Sequence, residues 1–246
     1  MKKAIRIACI STLTVAICLT GEGGNINAAA SDSYYRAPVT ANKQWQSGQL
    51  QLTAGKVTVS AYTGTETGFQ GTPFINKLHI TDGRADYDIP LKGSVISLRS
   101  ISVSPSGQYI AVHIFLEAGS QLLIVDLAHQ KHILINDNVR YMKYAESVPV
   151  YNWSPVGDQL AFAYGDTSSS RVAIYHAASG KIEYVPRETN IISTSAVLWN
   201  SKGTVLDYIS EYSSNHFKLY RYTLSTKKVK PIKSLTRKQM QQLSLR

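Results

Sequence analysis

The chain reads as an all-β protein made from one repeated unit, and three observations predict it. The first is a phrase that recurs. Val103-Ser-Pro-Ser-Gly107-Gln-Tyr-Ile-Ala-Val returns as Trp153-Ser-Pro-Val-Gly157-Asp-Gln-Leu-Ala-Phe, and again as Trp199-Asn-Ser-Lys-Gly203-Thr-Val-Leu-Asp-Tyr, at steps of 50 and 46 residues. The second is that the later part of each unit corresponds too: Val125 falls on Tyr175 at offset 50, and Tyr175 on Tyr222 at offset 47. The third is strand length, since runs of four to seven residues separated by Gly, Ser, Asn, Asp and Pro suit an all-β sandwich, barrel or propeller. A fixed period near 50 residues selects stacked copies of one small sheet. The expected fold is therefore a small β-propeller of about four blades, with a short C-terminal helix.

Residues 1–30 read as a signal peptide. Lys2, Lys3 and Arg6 precede an apolar run from Ile7 to Leu19, and Ala28-Ala29-Ala30 offers a small-x-small cleavage site after Ala30. The run is short for a membrane anchor, which is the lesser alternative. A lipoprotein at Cys18 is another, set back by Ile17 where a small residue should precede the lipidated cysteine. The expected location is secreted or extracytoplasmic. Both cysteines, Cys9 and Cys18, lie in the leader, so the 216 residues after Ala30 contain none and must be held by packing alone. No other segment is apolar enough to span a membrane.

Residues 31–44 show no period and read as a lead-in, and 45–232 as the propeller. In the first unit Trp45-Gln-Ser-Gly48 resembles the opening turn, while Lys77–Thr81 and Tyr87–Pro90 align with the second unit at offset 45. These markers disagree by roughly 14 residues, which a Gly/Thr-rich loop over Ala61–Phe74 would absorb. The second unit contributes Tyr109–Phe115, Gln121–Leu127 and Lys131–Ile135. The third contributes Gln159–Tyr164, Arg171–Tyr175 and Lys181–Val185, and the fourth Thr204–Ile209, Phe217–Tyr222 and Lys228–Ile232. Pro in the recurring turn sets φ at one position and Gly supplies positive φ at another. Trp45, Trp153 and Trp199 each stand shortly ahead of a turn glycine, and their equal placement points to packing between blades rather than to an exposed stacking platform. Residues 233–246 form a basic tail, where Thr236-Arg-Lys-Gln239 has the spacing of a capping box and Leu235 can staple to Met240, predicting a helix over 237–244.

Trp153-Ser-Pro, Gly157, Leu160-Ala-Phe162, Ile174-Tyr175 and Ser179-Gly180-Lys181 together resemble the TolB-like β-propeller repeat. Ser104-Pro105, Gly107, Ile110-Ala111 and Val125-Asp126-Leu127 carry the same likeness. It covers about residues 100–232. The aspartate of the family's turn is replaced here by Ser106, Val156 and Lys202, and the chain is short of the family's blade count. The resemblance implies a fold and not a chemistry, because such repeats serve receptors, envelope proteins and peptidase lids.

Twenty-six basic and sixteen acidic residues give the whole chain a net charge of +10; without Lys2, Lys3, Arg6 and Glu22 it is +8. The excess gathers in Lys227, Lys228, Lys230, Lys233, Arg237 and Lys238, with no acid from 227 to 246. Outside the cell such a patch fits an anionic envelope polymer or a protein partner; nucleic acid is not expected, and the plain alternative is a solvated face that aids solubility. Asp82, Asp86 and Asp88 are candidate calcium ligands, the latter two on one face of a strand, against an ordinary Asp-Gly turn. His129 and His132 have metal-like spacing but no evident third ligand. Ser225-Thr-Lys-Lys228 has the Ser-x-x-Lys spacing without its companion motifs. No cofactor is expected. The leading functional reading is an exported, non-enzymatic binding or scaffold protein, and the alternative a secreted hydrolase or lyase acting on polysaccharide with acids from several blades.

Overall fold

A computed structural model describes residues 34–35, 41–46, 49–68, 71–84, 86–140, 147–166, 168–187 and 191–244. Residues 1–30, the expected signal peptide with both cysteines, lie outside the described residues. Four antiparallel sheets follow one another along the chain, each a meander whose strand order matches the sequence. The first holds β1 (Asn42–Gln46), β2 (Gln49–Ala54), β3 (Val57–Thr67), β4 (Pro73–Thr81) and β5 (Asp86–Pro90). The second holds β6 (Val95–Val103), β7 (Tyr109–Leu116), β8 (Ser120–Asp126) and β9 (Lys131–Leu134), with the short helix α1 (Ile135–Asn138) after it. β10 (Tyr151–Trp153), β11 (Gln159–Gly165), β12 (Ser170–His176) and β13 (Lys181–Tyr184) make the third. β14 (Ser193–Trp199), β15 (Val205–Ser213), β16 (His216–Thr223) and β17 (Lys228–Leu235) make the fourth, and α2 (Arg237–Ser244) ends the described chain.

The sheets are copies of one unit. Ile110 pairs with Val125, Leu160 with Tyr175 and Leu206 with Tyr222, one cross-strand position in three blades. The recurring turn is likewise repeated. Gly107, Gly157 and Gly203 take φ of +75°, +66° and +65°. Gly203 also has no room for a side chain, since a Cβ there would lie 2.4 Å from Val156 of the preceding blade's turn. In the last copy Asn200 replaces serine, and its Oδ1 accepts from the amides of Thr204 and Val205.

Apolar clusters lie between neighbouring blades. One joins the first and second through Leu52, Val59, Leu78, Ile80, Leu98, Ile110 and Val125. A second joins the second and third around Trp153 and Phe162, and a third joins the third and fourth around Trp199, Tyr208 and Tyr220. The tryptophans add a repeated stitch: Trp153 Nε1 donates to the Ser102 carbonyl at 3.3 Å, and Trp199 Nε1 to the Asn152 carbonyl at 3.0 Å. Each ring thus ties its own blade to the inner strand of the preceding one, as the packing reading expects; the Trp45 side chain lies outside the described residues.

Among the described residues no apolar cluster joins the fourth sheet to the first. The far face of the fourth blade is covered by the chain's own ends. Met240 and Leu243 of α2 pack with Tyr35 against a cluster that holds Leu198, Ile209, Leu219 and Leu235. The predicted capping box forms: Gln239 Oε1 accepts from the Thr236 amide at 3.0 Å, and Thr236 Oγ1 from the Gln239 amide at 3.2 Å.

The first blade departs from the sequence reading in two ways. The described part of Ala61–Phe74 is not a loop but the extended hairpin of β3 and β4, at whose end the Gly68 amide donates to the Thr72 carbonyl and the Gly71 amide to the Gly68 carbonyl. Alternation through Tyr-Thr-Gly-Thr-Glu-Thr sustains strand even where both faces meet water. The counterpart of the recurring turn is not at Gly48 but at Gly55, φ +61°, between β2 and β3. It precedes Gly107 by 52 residues, in keeping with the period. β2, rather than β1, is the inner strand that packs on β6, so β1 is an added strand on the edge.

One buried titratable group sits between the second and third blades. His113 on β7 is 2% exposed, with the Tyr151 and Phe115 rings at 5.6 and 5.5 Å. Burial, aided by the Arg99 charge, brings its pKa down to about 4. The unfolded chain binds a proton below about pH 6.5 that the folded chain refuses until about pH 4, so stability falls as the pH is lowered through that window. Between pH 7 and 4.5 this group is expected to cost about 2–3 kcal/mol. Denaturant titrations at both pH values should show a smaller loss in His113→Phe than in the parent chain.

Candidate functional site

Register decides where the basic residues point. In an antiparallel pair, directly opposed residues share a face. Lys228 lies opposite Thr223 and Lys230 opposite Arg221. A bulge at Ile232 then shifts the alternation and brings Lys233 opposite Leu219. Leu219 belongs to the cluster on the blade's far face, so all three lysines are carried to that face. β17 is also the sheet's edge strand, and Lys228, Lys230, Pro231 and Lys233 suit an edge that must refuse another strand.

The other predicted residues are placed differently. Lys227 takes φ +55° in the turn before β17 and donates to Glu183 Oε2 of the third blade at 2.5 Å. Tyr222 Oη donates to Glu183 Oε1 at 2.6 Å. Burial raises the Glu183 pKa, and the bonds from Lys227 and Tyr222 outweigh it, so the carboxylate stays below its usual range. Lys227 is thus a strut between two blades. Arg237 opens α2 and bonds to Asn215 Oδ1, and Lys238 follows it, exposed. Among the described residues no ion pair is made to Lys228, Lys230, Lys233 or Lys238.

Beneath the row lies a charged cluster that the sequence did not reveal. Asp207, fully buried on β15, receives Arg221 Nε and a terminal guanidinium nitrogen, each at 2.8 Å. Tyr35 Oη donates to the same carboxylate at 2.5 Å. The Arg221 guanidinium stands 5.2 Å over the Tyr34 ring, and the Tyr34 carbonyl accepts from the Ser201 amide. Hydrogen bonding to Asp207 raises the Arg221 pKa, so the guanidinium is charged at every working pH. Burial, then the Asp207 charge, raises that of Tyr35. Tyr34 and Tyr35 of the lead-in therefore form a strap on the last blade. Only its repeat position hinted at this: Asp207 stands where the earlier copies carry Ala111 and Ala161.

Asp82, Asp86 and Asp88 lie on the β4–β5 turn and β5. Asp82 Oδ1 accepts from the Arg84 amide, closing the turn. Asp88 bonds to Lys77 Nζ at 2.9 Å and to His79 Nδ1 at 2.8 Å; these two bonds, Lys77 first, hold it below the usual carboxylate range. Asp86 is exposed at the strand start. Among the described residues no three histidine, cysteine or carboxylate side chains gather as a metal-holding group. His129 Nδ1 pairs with Asp126 instead, and His132 lies opposite Val125 on the neighbouring strand. Ser225 belongs to the β16–β17 turn, and Lys228 opens β17.

No family model matches the chain, and no curated protein matches it. Solved structures give a likeness of fold. TolB from Acinetobacter baumannii is 12% identical, with 74% of this chain and 48% of that chain covered and a TM-score of 0.43. An oligogalacturonate lyase in complex with manganese is 11% identical, covering 82% and 75% at 0.42, and the tricorn protease 11% identical, covering 82% and 30% at 0.42. The TolB-like resemblance is one of fold. The chain spans about half the length of the first of these structures and under a third of the last. Overlaps at such identity and such TM-scores carry no chemistry across. Among the described residues no helix is long and apolar enough to cross a membrane.

Proposed function

We propose that the protein is an exported, non-enzymatic binding or scaffold protein that holds an anionic polymer of the cell envelope along the exposed edge strand of its fourth blade. The observation that carries this reading is the bulge at Ile232, which sets Lys233 on the same face as Lys228 and Lys230. Edge protection alone needs charges along the strand and not charges on one face. Lys238, the second residue of α2, is exposed as well. Arg221 lies on the same face, but its charge is spent on Asp207 and adds no free cation.

A lysine near an anionic surface contributes about 1 kcal/mol at low salt. The triple variant Lys228→Gln, Lys230→Gln, Lys233→Gln should therefore bind dextran sulfate roughly a hundredfold more weakly than the parent. Its melting temperature should stay within a degree or two, since all three side chains are exposed. Binding in the parent should fall steeply as salt rises from low to physiological, and neutral dextran should not bind. Equal affinity in parent and triple variant would overturn the reading.

A further inference from the structure

We propose that a second, separate site, where the third blade meets the fourth, binds a compact oxoanion of the phosphate type through Arg140, Arg171 and Arg187. These residues line a cavity of about 160 Å³ together with Tyr164, Tyr184 and Tyr208. At ~30 Å³ per water that is space for about five waters, or one oxoanion with part of its shell. The three arginines come from three distant segments: after α1, on β12 and after β13. Their convergence is therefore a product of the fold and not of a local basic run.

Arg140 and Arg187 have named partners. The Arg140 amide donates to Tyr184 Oη at 2.7 Å, and its guanidinium stands 5.0 Å over the Tyr184 ring. Arg187 donates to the Ile191 carbonyl at 2.9 Å, which fixes one side of its fork. The electrostatics of the cavity match. Burial first, and the nearby Arg171 charge second, work against the charged form of Arg187. Asp166 favours that charge, but its Oδ1 already accepts from Ser168 and Ser169. No carboxylate occurs among the described lining residues. Cations gathered this way repel one another, and an anion between them reverses the sign of each interaction. Guanidinium forks present paired donors at the spacing of oxoanion oxygens, which lysines do not.

The test is thermal melting of the full chain against sodium phosphate at constant ionic strength, with sodium chloride as the balance. A saturable rise in Tm is expected. Half-saturation should weaken at least tenfold in Arg140→Gln and in Arg187→Gln, and should not move in the Lys228, Lys230, Lys233 triple variant. That last arm separates this site from the lysine face. Arg187→Lys, which keeps the charge and loses the fork, should also weaken binding, and serves if a glutamine variant fails to fold. Glycerol 3-phosphate run beside inorganic phosphate tells whether the site accepts a phosphate carried on a larger molecule. Phosphate that acts no differently from chloride, or variants that fold and keep the parent's half-saturation, would overturn the proposal.

Discussion

Asp207→Ala is expected to destabilise the fold by about 3–5 kcal/mol, because it breaks a buried ion pair from one side. The carboxylate is fully buried and holds two nitrogens of a guanidinium and a tyrosine hydroxyl. Without it, Arg221 keeps a charge with no counterion against an apolar cluster, and Tyr35 loses its acceptor. Replacing the donor instead is milder: Tyr35→Phe removes one charge-assisted hydrogen bond and should cost about 1.5–3 kcal/mol. Because both changes act on one network, the double variant should cost less than the sum. Urea denaturation of the four proteins measures this directly. Additive losses, or a loss below 1 kcal/mol for Asp207→Ala, would mean that the strap does not lean on this aspartate.

The physical sense of the cluster comes from the repeat. Ala111 of the second blade is buried against the third, and Ala161 of the third against the fourth. Among the described residues no further sheet packs on the same place in the fourth blade, and there the chain carries Asp207. A terminal repeat needs a face that tolerates water or is covered by other means. Here it is covered by a strap from the N-terminal side and a helix from the C-terminal side. A blade from a second copy of the chain would have to displace both covers before it could dock at this face.

Trp199→Ala should cost about 3–5 kcal/mol as well, by another route. The ring is fully buried between the third and fourth blades and also donates to the Asn152 carbonyl. Its loss leaves a cavity that two backbone sheets cannot close, together with a carbonyl short of a donor. Trp199→Phe keeps much of the volume and loses the donor, so its cost should be about half as large. Hydrogen exchange adds spatial resolution: β14–β17 should lose protection in Trp199→Ala while the first blade keeps its own. Uniform loss across all four blades would indicate a single cooperative unit in place of blade-by-blade packing.

Much of this fold was legible in the sequence. The Ser-Pro-x-Gly turns and the strands after them recur because each blade solves the same packing problem. The capping box at Thr236–Gln239 is purely local and was readable for that reason. The first blade was misread where two signals competed. Trp45-Gln-Ser-Gly48 imitates the recurring turn, whereas Ala54-Gly55-Lys56 performs it without proline or tryptophan. Gly and Thr in 61–74 suggest a loop, yet threonine is a good strand former, and of the glycines only Gly64 lies within a strand. Site residues were less legible than strands. The lysines were found by charge, but only the bulge at Ile232 shows which of them share a face. Tyr35 and Asp207 are 172 residues apart, and Arg140 and Arg187 come together only through sheet stacking. No spacing rule reaches such pairs.

Hydrogen-exchange footprinting of the chain with and without dextran sulfate tests the functional claim most directly. The account predicts added protection on β17, the turn before it and the first turn of α2, fading as salt rises. Protection centred on the β3–β4 hairpin or on the inner strands β6, β10 and β14, with β17 unchanged, would contradict it.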